Sequence, residues 1–471
     1  MARTVAELPA GVRLTDKIGL GVLAKAFPVE RIHAVLRETG RASVRQRDLP
    51  AHVVVYYVIL LALYTGVACR EVLRCLLEGV RWLWGPEAVR VSGKSAISQA
   101  RRRLGSEPLE RLAEQLVGPV AVRGPGGTTR GAWYRDWRLV SLDGSTMEVP
   151  DTRENAAAFG RPGASRGRSA FPRIRFVAFV ESGTHVLFGA RLGGWDTPEL
   201  ELADEALGAL GPGMLCLADR NFFSYDRWRR AAATRADLVW RVKKNARLPR
   251  LETLPDGSYL TKIYPSDPDR RHDTNAIVVR AVEYRLEGVP DSEPLYRLIT
   301  TILDWRAAPA EELAALYHER WEIENALDEL KTHPRGERRV LRSKRPDLVR
   351  QEFHGLILAH YAVRGLMHEA ALKADEDPDR LSYVHAVRAC TPVRVIRRKM
   401  ATCAALPPQA LADCHEEVIA EILEERVVSS RGRRNPRAIK RKLAKWPVRH
   451  RPRAGPSRAA EKTHYEIRVV K

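Results

Sequence analysis

Between about residues 14 and 118, apolar positions recur every three to four residues, the spacing of helices that bury one face or more. The most apolar piece is VVVYYVILLALYTGVAC (Val53 to Cys69). It falls short of the roughly 20 residues a membrane span needs, and Thr65 and Gly66 interrupt it, so it predicts a buried helix. CREVLRCLLEGVRWLW and SAISQARRRLG continue the pattern and end on Arg101, Arg102 and Arg103. The glycine-rich stretch GPGGTTRG (Gly124 to Gly131) punctuates the chain and closes this helical head.

Beyond it the period changes. WRLVSLD (Trp137 to Asp143) reads as a strand ending on its acid, and FVAFVES with THVLFGARL (Phe176 to Ser182, Thr184 to Leu192) as a hairpin. PELELADEALGAL (Pro198 to Leu210) has helical spacing with Pro at its start, and MLCLAD (Met214 to Asp219) is continuously apolar, as a strand buried on both faces must be. The order is therefore β-β-β-α-β. From about Leu238 to Ile302 the chain is again strand-like, Glu311 to Leu330 reads as one helix, and HGLILAHYAVRGLM continues helical. No internal repeat was found.

Length and composition sharpen this picture. A chain of 471 residues exceeds a single core, so two or more packed units are expected, and 45% hydrophobic with 29% charged residues is globular composition. Against 58 Asp and Glu stand 79 Lys and Arg, a net charge of +21 that points to a polyanionic partner. Of these cations 64 are Arg, whose fork matches phosphate oxygens, although an Arg- and Ala-rich proteome would give the same skew. Thirteen basic residues and no acid lie between Arg426 and Ala460, among them Arg433, Arg434, Lys440 and Arg441, interrupted by four prolines. That pattern predicts an extended arm for a phosphate backbone, or a solvated tail. Six scattered cysteines form no C-x-x-C pair, and the N-terminus carries no secretory signal pattern, which fits a reducing cytoplasm.

Two apparent motifs fail. Gly93-Lys94-Ser95 lacks the earlier Gly of a phosphate loop, since Ala88 stands there, and His318-Glu319 lacks the second His of a zincin helix. The Glu311–Leu330 segment is more informative. At about 100° per residue, Tyr317, Arg320, Trp321, Glu324, Asp328 and Lys331 share one flank, Glu322 lies across the helix, and Leu316, Ile323, Leu327 and Leu330 form an adjoining apolar stripe. The same spacing makes ordinary ion pairs of Glu324, Asp328 and Lys331. Asp143 and Asp219, each read as a strand-end acid, also cap turns in the bland reading, but carboxylates on neighbouring strands can converge on a hard divalent ion.

Taken together, LDGS around Asp143, ADRNFF around Asp219, and Y-x2-R-x3-E-x6-K at Tyr317, Arg320, Glu324 and Lys331 resemble the DDE transposases of the insertion sequence 4 family, as does the opening LTDKIGLGVLAKAFP. The resemblance spans about Leu14 to Val395. It implies a multidomain α/β protein with a ribonuclease-H-like (retroviral-integrase-like) catalytic core, in which Asp143, Asp219 and Glu324 bind two Mg²⁺ ions, replaceable by Mn²⁺. The implied organisation is a helical DNA-binding domain over 1–122, the core over 132–237 and 303–375, a β-rich insertion over 238–302 as a separate module, and a C-terminal region over 376–471 with the basic arm.

Carried over by position, Arg320 and Lys331 would grip phosphates, Tyr317 would orient the DNA end, and Trp321 would flank the site, though an aromatic beside an apolar stripe is also core-like. Arg101, Arg102, Arg433, Arg434, Lys440 and Arg441 are further candidate DNA contacts. Ser145 departs from the Thr more usual there and keeps a hydroxyl. The implied activity is cut-and-paste transposition through a hairpin intermediate, with terminal inverted repeats and target duplex as partners and a homodimer holding two ends. It would take place in the bacterial cytoplasm at the nucleoid, with no membrane involved. A nuclease on the same core that cuts without joining, or an inactive DNA-binding relic, are the alternatives.

Overall fold

The computed structural model describes residues 21–44, 49–64, 67–84, 92–164, 167–168, 171–287, 293–320, 322–332, 340–390, 408–427 and 466–470. The helical head comprises α1 (Gly21–Ala26), α2 (Val29–Glu38), α3 (Ala51–Leu63), α4 (Cys69–Trp84), α5 (Lys94–Leu104) and α6 (Glu107–Leu116). Every residue of α3 is buried, which explains a segment apolar all round: its neighbours include α2, α4, α5 and the 28-residue α13 (Pro346–Lys373). Gly355 on α13 makes that contact close, since a Cβ there would stand 2.9 Å from the Val58 side chain. Among the described residues no helix is long and apolar enough to cross a membrane.

Next comes one large mixed sheet. Its first strands are β1 (Trp137–Glu148), β2 (Arg173–Glu181), β3 (Leu187–Gly194), β4 (Met214–Ala218) and β5 (Asp237–Arg241), standing in the order β3-β2-β1-β4-β5. The β1-β2-β3 part is antiparallel, whereas β4 runs parallel to both β1 and β5. Helices α7 (Arg153–Phe159), α8 (Glu199–Ala206) and α9 (Tyr225–Ala233) lie in the connections. β4 alternates as a doubly covered strand must: Leu215 and Leu217 join one core, Cys216 and Ala218 the other.

Strands β6 (Glu252–Thr253), β7 (Tyr259–Ile263), β8 (Ile277–Glu287) and β9 (Tyr296–Thr300), with α10 (Asp267–His272) between β7 and β8, continue the same sheet through β9 pairing with β5. The separate module expected for this stretch is thus an extension of the central sheet. Strand β10 (Glu466–Val469) adds to β8, so the chain beyond the basic arm returns to the fold.

The helix expected over Glu311–Leu330 is two helices, α11 (Ala310–Glu319) and α12 (Glu322–Thr332). At the junction the Arg320 N–H bonds Tyr317 O (3.3 Å) and the Ile323 N–H bonds Arg320 O (3.1 Å), i→i+3 pairings that tighten the turn. The apolar stripe explains the break. Leu313, Leu316 and Tyr317 pack with Leu139, Leu215 and Val239, while Ile323, Leu327 and Leu330 belong to the other core. A single straight helix could not serve both. Helices α14 (Tyr383–Cys390) and α15 (Pro408–Ile422) pack on α13.

Candidate active site

Parallel pairing of β1 with β4 places Leu142 beside Ala218, so Asp143 and Asp219 are the next residues on adjacent chains. Alternation gives Asp143 the face of Leu139 and Asp219 the face of Leu215 and Leu217, the face that α11 covers. Asp219 does follow the end of its strand, but Asp143 lies inside β1, which runs on to Glu148 because β2 continues to pair with it.

From α11 and its end come Tyr317, whose hydroxyl stands 3.5 Å from Asp219 Oδ1, and Arg320, whose Nη1 stands 3.4 Å from Asp143 Oδ2. Burial opposes the charge on Arg320, yet Tyr317 and three carboxylates, Asp143, Asp219 and Glu324, outweigh it and push the guanidinium above its usual range. Burial pushes the Asp143 carboxyl up; Arg320 and the Gly144 N–H (2.8 Å) pull it down, and Asp219 raises it again. Burial, reinforced by Asp219, pushes the Tyr317 phenol up to about 12, so it keeps its proton near neutral pH.

Half-buried carboxylates that gather a cation suit a hard divalent ion, which takes oxygen ligands and keeps waters. Among the described residues no three His, Cys, Asp or Glu side chains stand close enough to enclose one ion, and Arg320 neutralises the acids instead. The fit to such a metal is one of donor type, since Asp143, Asp219 and Glu324 all offer carboxylate oxygens.

Other expected contacts divide. Lys331 pairs with Asp328 at 3.0 Å, the ordinary helical ion pair weighed from spacing. Arg102 is exposed, but Arg101 is buried and its guanidinium donates to Gln351 (2.7 Å), Ser343 (3.0 Å) and the Leu348 carbonyl (3.2 Å). Arg101 therefore ties α5 to α13 and is corrected from DNA contact to structural tether. Trp321, Arg433, Arg434, Lys440 and Arg441 lie outside the described residues. Glu322, placed by the spacing across the helix from the motif flank, is buried and accepts the Gly183 N–H at 2.6 Å.

Sequence reasoning missed two features. Arg241, the last residue of β5, lies 3.9 Å from Asp219, stacks on Tyr296 at 4.7 Å, and shares Glu293 with Arg220 (2.5 and 3.1 Å). A basic residue closing the strand parallel to β4 was the available signal. Glu199, the first residue of α8, lies against Gly144; burial raises its carboxyl and Asp143 raises it further, while Arg175 lowers it. Its sequence context, an acid in a first helical turn, reads only as helix chemistry.

Two family models match the chain: the insertion element 4 transposase N-terminal region over residues 17–114 and the transposase DDE domain over residues 135–362. The transposase InsG for insertion sequence element IS4 of Escherichia coli (strain K12) is 28% identical over 427 residues, 89% of this chain and 91% of that protein. A cryo-EM structure of a piggyBac transposase synaptic complex with hairpin DNA overlays with a TM-score of 0.41 at 12% identity, covering 84% of each chain, too loose a match to build on.

Proposed function

Because this chain belongs to the insertion sequence 4 family of DDE transposases, we propose that Asp143, Asp219 and Glu324 are the acids of its DNA transposase chemistry. The observation that carries this reading is the meeting of Asp143 and Asp219 on adjacent parallel strands under the signature segment, with Arg320 Nη1 3.4 Å from Asp143 Oδ2 and the Tyr317 hydroxyl 3.5 Å from Asp219 Oδ1. The sheet order β3-β2-β1-β4-β5, with β4 parallel to β1, supports a ribonuclease-H-like core whose paired acids sit where neighbouring strands end their pairing.

The three acids would hold two Mg²⁺ ions, which supply activation of the attacking oxygen and charge relief at the leaving one. Around them the chain's own groups have distinct tasks. Tyr317, protonated, donates to Asp219 or to a phosphate oxygen of the end. Arg320 exchanges its contact with Asp143 for backbone phosphate when DNA enters, and Lys331 leaves Asp328 for the same purpose. Water attacks the phosphorus at the element end, the P–O3′ bond breaks, and the 3′ oxygen leaves and takes up a proton. That 3′-hydroxyl then gives up its proton and attacks a phosphorus of the opposite strand, breaking the P–O3′ bond to the flanking DNA, whose 3′ oxygen leaves and is protonated, so that a hairpin closes. Water opens the hairpin at the same phosphorus and restores the 3′-hydroxyl, which attacks a target phosphorus as the target's own 3′ oxygen leaves. A dimer holds the two ends together.

Incubation of the protein and Mg²⁺ with duplex carrying the element's own ends tests this. Hairpin-ended fragments followed by joined products are expected. Cleavage with no joined product at any protein concentration would contradict transposition in favour of a nuclease.

A further inference from the structure

We propose that α5 is the helix with which the chain reads base edges, entering the major groove of duplex DNA by the face that carries Ser95, Gln99 and Arg102. The inference rests on the DNA transposase reading above and adds to it the segment that recognises sequence.

The two sides of α5 are unlike. It packs on α3, α4 and α13 and buries Ile97, Ala100 and Leu104. Arg101 fastens that side to α13 through Gln351 and the Leu348 carbonyl, and Gln351 Nε2 donates back to the carbonyls of Arg101 (3.1 Å) and Gly105 (2.6 Å). At about 100° per residue, Ser95, Gln99 and Arg102 fall within roughly 60° of one another on the opposite side. All three are exposed, and Gln99 Nε2 lies 3.4 Å from Ser95 Oγ. The helix is thus held rigidly from behind and bare in front. Its 11 residues run about 16 Å, enough to lie across a major groove about 12 Å wide.

Charge identifies the partner. The helix carries Lys94, Arg101, Arg102 and Arg103 and no acid. Arg102 and Arg103 complement the negative C-terminal end of the helix dipole, which alone would account for them. Lys94 has no such account: it is the first residue, at the positive end, with no acid in its turn and no side-chain cap from Gly93. Among the described residues neither Lys94 nor Arg102 forms an ion pair. A backbone phosphate at the first turn would satisfy both Lys94 and the N–H groups beside it. At the other end Arg41 reaches in from the segment after α2, its Nη1 3.4 Å from the Arg103 carbonyl, and a cleft of about 250 Å³ opens there with no acid among its described lining residues. Cations therefore stand at both ends, where the two strands bordering a groove run. The face between them offers Gln99 and Arg102, the side-chain types that pair bidentately with adenine and guanine.

The test is fluorescence anisotropy of the full chain, in chelator so that nothing is cut, with labelled duplex carrying the element's own end and with a scrambled duplex of equal composition. The parent should prefer the end. Gln99→Glu and Arg102→Ala should each shrink that preference roughly 5–150-fold. Lys94→Ala and Arg41→Ala should instead weaken both duplexes alike and shallow the slope of log affinity against log salt by about 0.9 each. Arg111→Ala, an equal loss of charge on the exposed side of α6, should keep the parent's preference. All the altered side chains face solvent, so melting temperatures should match the parent's; Ser95→Ala, the smallest change on the face, should lower the preference in the same direction and decides the matter if a larger one unfolds the chain. Undiminished preference in Gln99→Glu and Arg102→Ala, or an equal loss on both duplexes, overturns the proposal, as does a parent with no preference. End preference without Mg²⁺-dependent cleavage of the end would defeat the metal-site reading and leave this one intact.

Discussion

At the scale of single residues, the acids that carry the motif depend on others that hold them. Glu329, on the face of α12 away from Glu324, would be raised by burial, but Arg364, with hydrogen bonds from His185 and His360, holds it well below the usual glutamate range. His185 in turn stands 3.6 Å from Glu322 and 3.3 Å from Asp379. This buried cluster fixes α12 against the β2–β3 turn. Glu329→Ala leaves Arg364 buried without its partner and should cost about 3–5 kcal/mol, measured by denaturant midpoint. The depressed carboxyl contributes stability that is present above the ordinary glutamate range and lost as pH falls through it, so the variant's stability should also fall less on acidification. Glu322→Ala should lower stability too, because it leaves the buried Gly183 N–H without its acceptor.

His354 gives a cleaner pH test. Burial, aided by Arg350 and Arg191, holds it at about 3, against an ordinary value of 6.5. Its neutral form is what the fold accepts, so stability is present above 6.5 and lost as pH falls toward 3. Between pH 7 and 5 the parent should lose about 2 kcal/mol through this group alone, and His354→Leu should lose correspondingly less.

At the scale of elements, what was legible depended on whether burial left a local pattern. The all-apolar α3, the Pro-started α8 and the buried β4 each announce themselves in the chain. The end of β1 does not, since Gly144 and Ser145 look like a turn until β2 is there to pair with them. Nor does the α11–α12 junction: periodicity alone extends a helix through Arg320, and only the existence of two cores on opposite sides of the sheet explains why the chain tightens there. Asp143 and Asp219 were legible as acids at the ends of apolar runs, Glu324 was grouped with them only through the resemblance carried by the Tyr317–Lys331 spacing, and Arg241 required the strand order.

The same scale explains how the basic arm should be tested. Val427 bonds back to Arg380, and β10 pairs with β8 beside α11, so cutting after Glu425 removes a strand along with the charges. Deleting only 466–471 should lower the melting temperature with little effect on salt dependence. Replacing the arm's basic residues by Gln should do the reverse.

For the whole molecule, a charge of +21 makes DNA affinity a counterion-release problem. Each phosphate contact removed should shallow the slope of log affinity against log salt by about 0.9. Arg320→Ala and Lys331→Ala should each do so by one such contact, equally across end sequences, because phosphate contacts carry no base information. A loss confined to one base identity would contradict their assignment.

The central claim is that Asp143, Asp219 and Glu324 cut DNA by holding divalent metal, and thiol substitution with metal rescue addresses it most directly. Mg²⁺ takes hard oxygen donors and Mn²⁺ tolerates sulfur better. Asp219→Cys, checked for unchanged end binding, should be inactive on element-end duplex in Mg²⁺ and regain cleavage in Mn²⁺. Equal cleavage in both ions, or undiminished cleavage in Mg²⁺, would contradict the account.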